Sequence, residues 1–220
     1  MAPQFHIREG ESAKGDGRFI AEAFDAAIPH LGSIGSSAQW GSDPLSTTEG
    51  FSAKLEKAVE DAEKYRLTGE GDAVTALIAE AEVPEGEEAG LTSGPGAGAV
   101  AGGKFPVAAA TVKDEWWPEY IKNTLADKIV GKENFAYLHI LISDFRAGKW
   151  RRGSGAELVA EVKERAKKSG KKTLFVDCWA GNGRKLVGFY LAQGFVHVDD
   201  FSVDRPGKGP FDGALLRMEL

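Results

Sequence analysis

The chain has 220 residues, 42% of them hydrophobic and 27% charged, with 28 glycines and one cysteine. That length buries a core without covalent staples, and the lone Cys178 excludes an internal disulfide framework and any thiolate-cluster metal site. A formal charge of -6 gives no long positive field for nucleic acid, and no apolar run is long enough for a membrane span or a signal core, so a soluble cytoplasmic protein is expected.

Residues 4–10 alternate briefly and predict a first strand. Phe19, Ile20, Ala23, Phe24, Ala27 and Ile28 then recur at helical spacing, and Gly32 and Gly35 mark that helix's end. A polar turn holding Gln39-Trp40 precedes a second helix from about Thr47, with Phe51, Leu55, Ala58, Val59 and Ala62 on one stripe. Residues 72–83 read first as a long strand, with helix the weaker alternative that their alanines and glutamates leave open. Pro84 to Lys104, rich in glycine and poor in anything to bury, predicts a mobile surface insertion between strands. Residues 105–116 form the next strand, ending in Trp116-Trp117, and a short helix spans about Glu119 to Lys128.

The segment 134–145 is a strong strand in which Tyr137, His139 and Leu141 alternate with Leu138, Ile140 and Ile142. Leu158, Val159, Val162 and Ala166 then stripe a helix that ends in a basic turn and Gly170. Residues 171–180 make a strand with an apolar centre, and 181–195 a short helix closed at Gly194. The last two strands are joined too briefly for a crossover and should be antiparallel. The order predicts a single α/β domain over residues 1–220, a mixed sheet between helices.

The strongest chemical signal is Arg151-Arg152-Gly153-Ser154-Gly155-Ala156, between the strand 134–145 and the helix that follows. Glycines let the chain turn tightly there, and the unsatisfied amides of a helix N-terminus accept phosphate oxygens beside Lys149, Arg151 and Arg152. The segment is neither a mononucleotide loop, since it lacks the lysine and hydroxyl, nor a dinucleotide fingerprint, since the acidic partner is missing. A basic turn that merely starts a helix is the plainer alternative.

With Leu138–Ser143, the basic glycine turn, Leu158-Val159, Leu174–Cys178, Asn182, Leu186, Tyr190 and Gly194-Phe195, the sequence resembles the GCN5-related N-acetyltransferase (GNAT) superfamily. The run from Val176 to Phe195 is similar to a branch of mostly unassigned substrate, in which Gln39-Trp40 also has a counterpart. The resemblance implies a GNAT-like mixed sheet with helices on both faces and a splayed pair of central strands. It implies acetyl-coenzyme A bound by Arg151, Arg152, Gly153, Ser154, Gly155 and Ala156, with its pantetheine arm in the split by Leu141, Ile142 and Asn182. Tyr190 matches the tyrosine that protonates the departing thiolate. Two departures stand out: Trp150 occupies a position that is usually glutamine or arginine, and the Pro84–Lys104 insertion is long.

The expected reaction is direct transfer of an acetyl group to the primary amine of a small molecule. An acyl-coenzyme A binding or sensing domain without turnover, or a protein or peptide acceptor, are the alternatives. Such a reaction needs an acid for the sulfur and a base for the amine. From helical spacing alone Tyr190 would be a packed ring; the resemblance makes it the acid. His139 is a base candidate or a packed strand histidine, and Glu115 with Asp114 are bases or solvated strand-end acids. Asp177 is a buried anchor or an ammonium binder. Cys178 is expected in the core. Gln39, Trp40, Trp116 and Trp179, with Trp117 nearby, are candidates for walling the acceptor pocket. Scattered histidines give no metal site. By analogy the protein is a monomer or a homodimer.

Overall fold

The computed structural model describes residues 3–90, 99–205 and 209–220. Its elements follow the predicted order: β1 (Phe5–Glu9), α1 (Asp16–Ser33), α2 (Phe51–Thr68), β2 (Val74–Gly90), β3 (Ala99–Asp114), α3 (Glu119–Thr124), α4 (Ala126–Ile129), β4 (Phe135–Ser143), α5 (Ser154–Lys168), β5 (Thr173–Trp179), α6 (Gly181–Ala192), β6 (Val196–Arg205) and β7 (Gly209–Glu219). Seven strands form one mixed sheet in the order β1-β2-β3-β4-β5-β7-β6. Among the described residues only β4 and β5 run parallel, and that pairing uses α5 as the crossover a parallel pair requires.

Strand alternation sorts the side chains into two cores. On one face Ala76 and Ile78 of β2 meet Ile20, Ala23 and Val59 of α1 and α2. On the other, Leu77 and Ala79 meet Leu158, Val159 and Val162 of α5, with Val187 and Tyr190 of α6 further along. Ile20 and Leu158 are fully buried, and each burial contributes roughly 1.5–3 kcal/mol. The run Ala108-Ala109-Ala110 keeps the sheet surface low, so helices approach from both sides. Where α1 crosses α2, a Cβ on Gly17 would lie 2.4 Å from the Glu56 Cα, so only glycine fits. Arg8 ties β1 to this layer through Asp16 and Glu80, each at 2.6 Å.

One expectation is corrected. Residues 84–90 and 99–104 continue β2 and β3 as an antiparallel ladder, with Val83 opposite Gly103 and Glu88 opposite Ala101 across a register shift. A hairpin already paired from Val74 extends through backbone hydrogen bonds, which need no apolar side chains. The rest of the expected insertion, 91–98, lies outside the described residues.

The features that shape the site lie on β4. Val112 of β3 faces Leu138 and Thr111 faces Ile140, so His139 is an extra residue, a β-bulge. Pairing between β4 and β5 stops there, at Leu138 opposite Val176. Beyond that point β5 stays with β7 as far as Trp179, opposite Gly213, while β4 bends away with β3. The central strands therefore splay, as expected. Among the described residues no helix is long and apolar enough to cross a membrane.

Candidate active site

The split opens into a cavity of about 390 Å³. Its floor is β4 from Leu138 to Ser143 and β5 from Val176 to Trp179; α1, the Gln39-Trp40 turn, Tyr120, Tyr190 and Phe211 complete the walls.

At one end, marked by Ser143, Phe145 and Arg151, the cavity leads to the glycine turn, whose residues 152–156 lie beyond its lining. After β4 the chain turns through residues 145–151 into Gly153, which has φ +94° and starts α5. The amides of Ala156 and Glu157 already donate to the Gly153 carbonyl. Those of Gly153, Ser154 and Gly155 have no acceptor among the described residues. The Ser154 hydroxyl turns inward, donating to the Arg151 carbonyl at 2.7 Å and lying 3.3 Å from the Ser143 hydroxyl. It fastens the turn, and only its amide faces outward.

The Arg151 guanidinium stacks over Phe145 at 3.6 Å and reaches the cavity. Its Nε is buried with no partner among the described residues, and desolvation followed by repulsion from Arg152 lowers its pKa. Arg152 is exposed beside the turn. Trp150 is buried with Ala81, Phe105, Val107 and Ala147, so the replaced position underpins the turn from the core.

The open edge of β4 continues this backbone surface. The Asp144 amide donates to Val107 of β3. Successive amides of an extended strand point to opposite edges, so those of Ser143 and Leu141 face the split while that of Ile142 faces β3. Between the two expected positions, it is Leu141 that presents its amide there. Ile142 contributes its side chain to the α1 and α2 face.

The other end is made of side chains. Tyr190 projects from α6 into the split, 5% exposed, and its hydroxyl has no hydrogen-bond partner among the described residues. Burial, then the neighbouring Cys178 and Asp177, push its pKa well above that of a free phenol, so it is a proton donor at every ordinary pH. Cys178 belongs to the core on the α5 and α6 face, with burial pushing its thiol up to about 12. His139 lines the cavity with Trp116 edge-on at 4.9 Å; burial, with Lys113 and Lys54 nearby, lowers its pKa to about 4, leaving a neutral imidazole. Gln39 is buried, and its carbonyl and that of Ala38 are gripped by Arg205. Trp40 packs edge-on against Phe24 at 5.0 Å, and Trp179 lies over Gly181.

Four expected site residues stand elsewhere. Asn182 has φ 50° and spends its amide nitrogen on the Ile34 carbonyl and Ser36 hydroxyl, at 3.1 and 2.7 Å. It ties α6 to the end of α1 and does not line the cavity. Glu115 is exposed at the opposite end of β4, where its amide donates to Phe135 and its carboxylate lies 3.8 Å from Lys171. Asp114 shares that lysine at 3.0 Å. Neither acid reaches the split, because β3 runs antiparallel to β4 and ends beside Ala136. Trp116 packs on Tyr137, His139 and Lys113, supporting His139 from outside the cavity. Phe24, Tyr120, Phe145 and Phe211 line it unannounced; they come from helices, a turn and the last strand, and share no sequence spacing. No group of acids, histidines and cysteine able to hold a metal occurs among the described residues.

No family model matches the chain, and no curated protein matches it in sequence. Solved structures do. A ribosomal-protein-alanine N-acetyltransferase from Brucella melitensis superposes with a TM-score of 0.57 at 18% identity, over 98% of this chain and 99% of that one. A GNAT-family acetyltransferase from Streptococcus pneumoniae gives 0.56 at 15% identity, over 99% and 100%. A GNAT-superfamily phosphinothricin acetyltransferase from Sinorhizobium meliloti, solved in complex with acetyl-coenzyme A, gives 0.55 at 16% identity, over 100% and 89%. At these identities the likeness is one of architecture: from end to end, the chain has the GNAT fold.

Proposed function

We propose that the protein transfers an acetyl group directly from acetyl-coenzyme A to the primary amine of a small molecule. The observation that carries this reading is the unpartnered Tyr190 hydroxyl, which opens on the same cavity as the phosphate-turn residue Arg151. The chain fits the cofactor in two respects. The free amides of Gly153, Ser154 and Gly155, beside Arg151 and Arg152, suit a pyrophosphate, and the open edge of β4 suits an amide-bearing arm. Acetyl-coenzyme A supplies an activated thioester whose sulfur requires a proton on departure.

Binding both reactants in one narrow split supplies much of the rate by removing the entropy of their encounter. Tyr190 holds its proton toward the split and delivers it to the sulfur. The Leu141 amide is positioned to donate to an oxygen that gains charge. His139, neutral at pH 7, takes a proton from the acceptor amine directly or through water. Gln39 and Trp40 belong to the acceptor side. The reading involves neither nucleic acid nor membrane and places the protein in the cytoplasm.

Calorimetric titration with acetyl-coenzyme A, followed by thiol release against a panel of primary amines, tests it. Binding with turnover of at least one small amine is expected. Binding without turnover against the panel would favour an acyl-coenzyme A sensor, and absence of binding by the folded protein would sink both readings.

A further inference from the structure

Among the described residues the cavity contains one acidic side chain, Asp177, and that residue has a use beyond holding the sheet together. We infer that Asp177 recognises the acceptor, taking the ammonium of a small monocationic primary amine with an apolar or aromatic body. The inference rests on the acetyl-transfer reading and adds the substrate class to it.

On β5, Val176 and Cys178 turn into the core beside α5 and α6, so Asp177 turns to the opposite face. There β4 has already bent away, and the carboxylate looks into the cavity. Two phenols from separate elements orient it: Tyr137 donates at 2.5 Å, and Tyr120 lies 3.1 Å from each oxygen. Burial, with Asp177 adding to it, holds both hydroxyls protonated; burial also raises the pKa of Asp177, and the two phenol bonds oppose that rise by favouring its charged form.

A carboxylate offers about four acceptor sites, and two donors leave part of that capacity unspent. No lysine or arginine pairs with Asp177 among the described residues, although a carboxylate in an apolar site normally requires a cation. An ammonium supplies what is missing. The rings of Phe24, Trp40, Trp179 and Phe211, which line the same cavity, suit an apolar or aromatic body. A second cationic group on the ligand would find no second acid. Among the described residues the one cation lining the cavity, Arg151, lies past the far end of β4, over Phe145.

The test titrates the full-length protein, with and without coenzyme A, using phenethylamine and its neutral analogue 2-phenylethanol, and measures turnover with acetyl-coenzyme A. The wild type should bind the amine at least about 30-fold more tightly than the alcohol. Asp177→Asn should remove that preference, raise KM for the amine by a similar factor, and leave affinities for the alcohol and acetyl-coenzyme A unchanged. Tyr120→Phe, which keeps the carboxylate, should retain most of the preference. Equal binding of amine and alcohol by the wild type, which needs no variant to fold, overturns the inference. So does a preference for glutamate or spermidine, or a loss in Tyr120→Phe as large as in Asp177→Asn. If acetyl-coenzyme A does not bind, the acetyl-transfer reading fails by itself, and the amine titration without coenzyme A still decides the role of Asp177.

Discussion

The two ends of the split are built from different materials. The Arg151–Ala156 end is largely backbone: three free amides, a left-handed Gly153 and the open edge of β4. The opposite end is side chain: Tyr190, Asp177 and His139 among aromatic rings drawn from five separate elements or turns. A backbone site makes few demands on sequence beyond the residues that permit its turn, and so it can serve one donor across distant relatives. A side-chain site can be rebuilt one residue at a time, so on the proposed reading one donor turn could face different acceptors.

The largest effect should come from the side-chain end. Removing the Tyr190 hydroxyl as Tyr190→Phe leaves the ring's packing against Phe189 and Phe195 intact. Loss of an acid is expected to lower kcat by about 100-fold or more, with acetyl-coenzyme A affinity unchanged by calorimetry. Because the phenol stays protonated across the working range, the wild-type rate should show no alkaline fall attributable to it. A variant with full kcat would remove Tyr190 from the chemistry.

The backbone end should respond to conformation instead. Gly153 at φ +94° excludes a β-branched residue, and Gly153→Val is expected to weaken acetyl-coenzyme A binding roughly 10- to 100-fold through strain alone. Gly155 has ordinary torsions, and a Cβ there would meet Phe189 at 3.6 Å, a normal contact. Gly155→Ala should therefore change binding little, as read in the same titration. Equal damage from both would mean that side-chain bulk, and not the turn, governs the site.

This division also explains what the sequence made legible. The order of elements along the chain, both helical layers and the basic glycine turn follow from periodicity and from glycines beside arginines, which are local signals. The β4 bulge was not legible, because alternation through His139 looks unbroken until β3 is laid against it. Glu115 and Trp116 sit close in sequence to plausible site residues, yet antiparallel pairing carries them to the wrong end of β4. Asp177 was visible only as an acid among apolar residues. Its two tyrosine partners lie 40 and 57 positions away.

His139 stands where the two ends meet, and its titration probes how closed the cavity is. Its pKa falls from 6.5 to about 4, chiefly through desolvation. The folded state thus stays neutral while the unfolded chain binds a proton. The resulting stability is present above pH 6.5 and is lost as pH drops toward 4, on the order of 3 kcal/mol. Denaturation midpoints of the wild type and His139→Gln, followed from pH 7.5 to 4.5, should converge at the acid end. Parallel curves would show that water reaches the ring freely.

The smallest effect concerns Asn182, which the GNAT resemblance assigns to the donor and the geometry assigns to the scaffold. Its amide nitrogen joins α6 to the Ile34 carbonyl and Ser36 hydroxyl. Asn182→Ala removes both bonds at a partly exposed site and gives up a residue tolerant of left-handed backbone at φ 50°. A loss of about 1–2 kcal/mol is expected, which for a chain of this length lowers the melting temperature by roughly 2–8 °C. Affinity for acetyl-coenzyme A should stay within about twofold of wild type. The reverse pattern, an unchanged melting temperature with weakened binding, would return Asn182 to the donor site and show that the backbone end depends on at least one side chain.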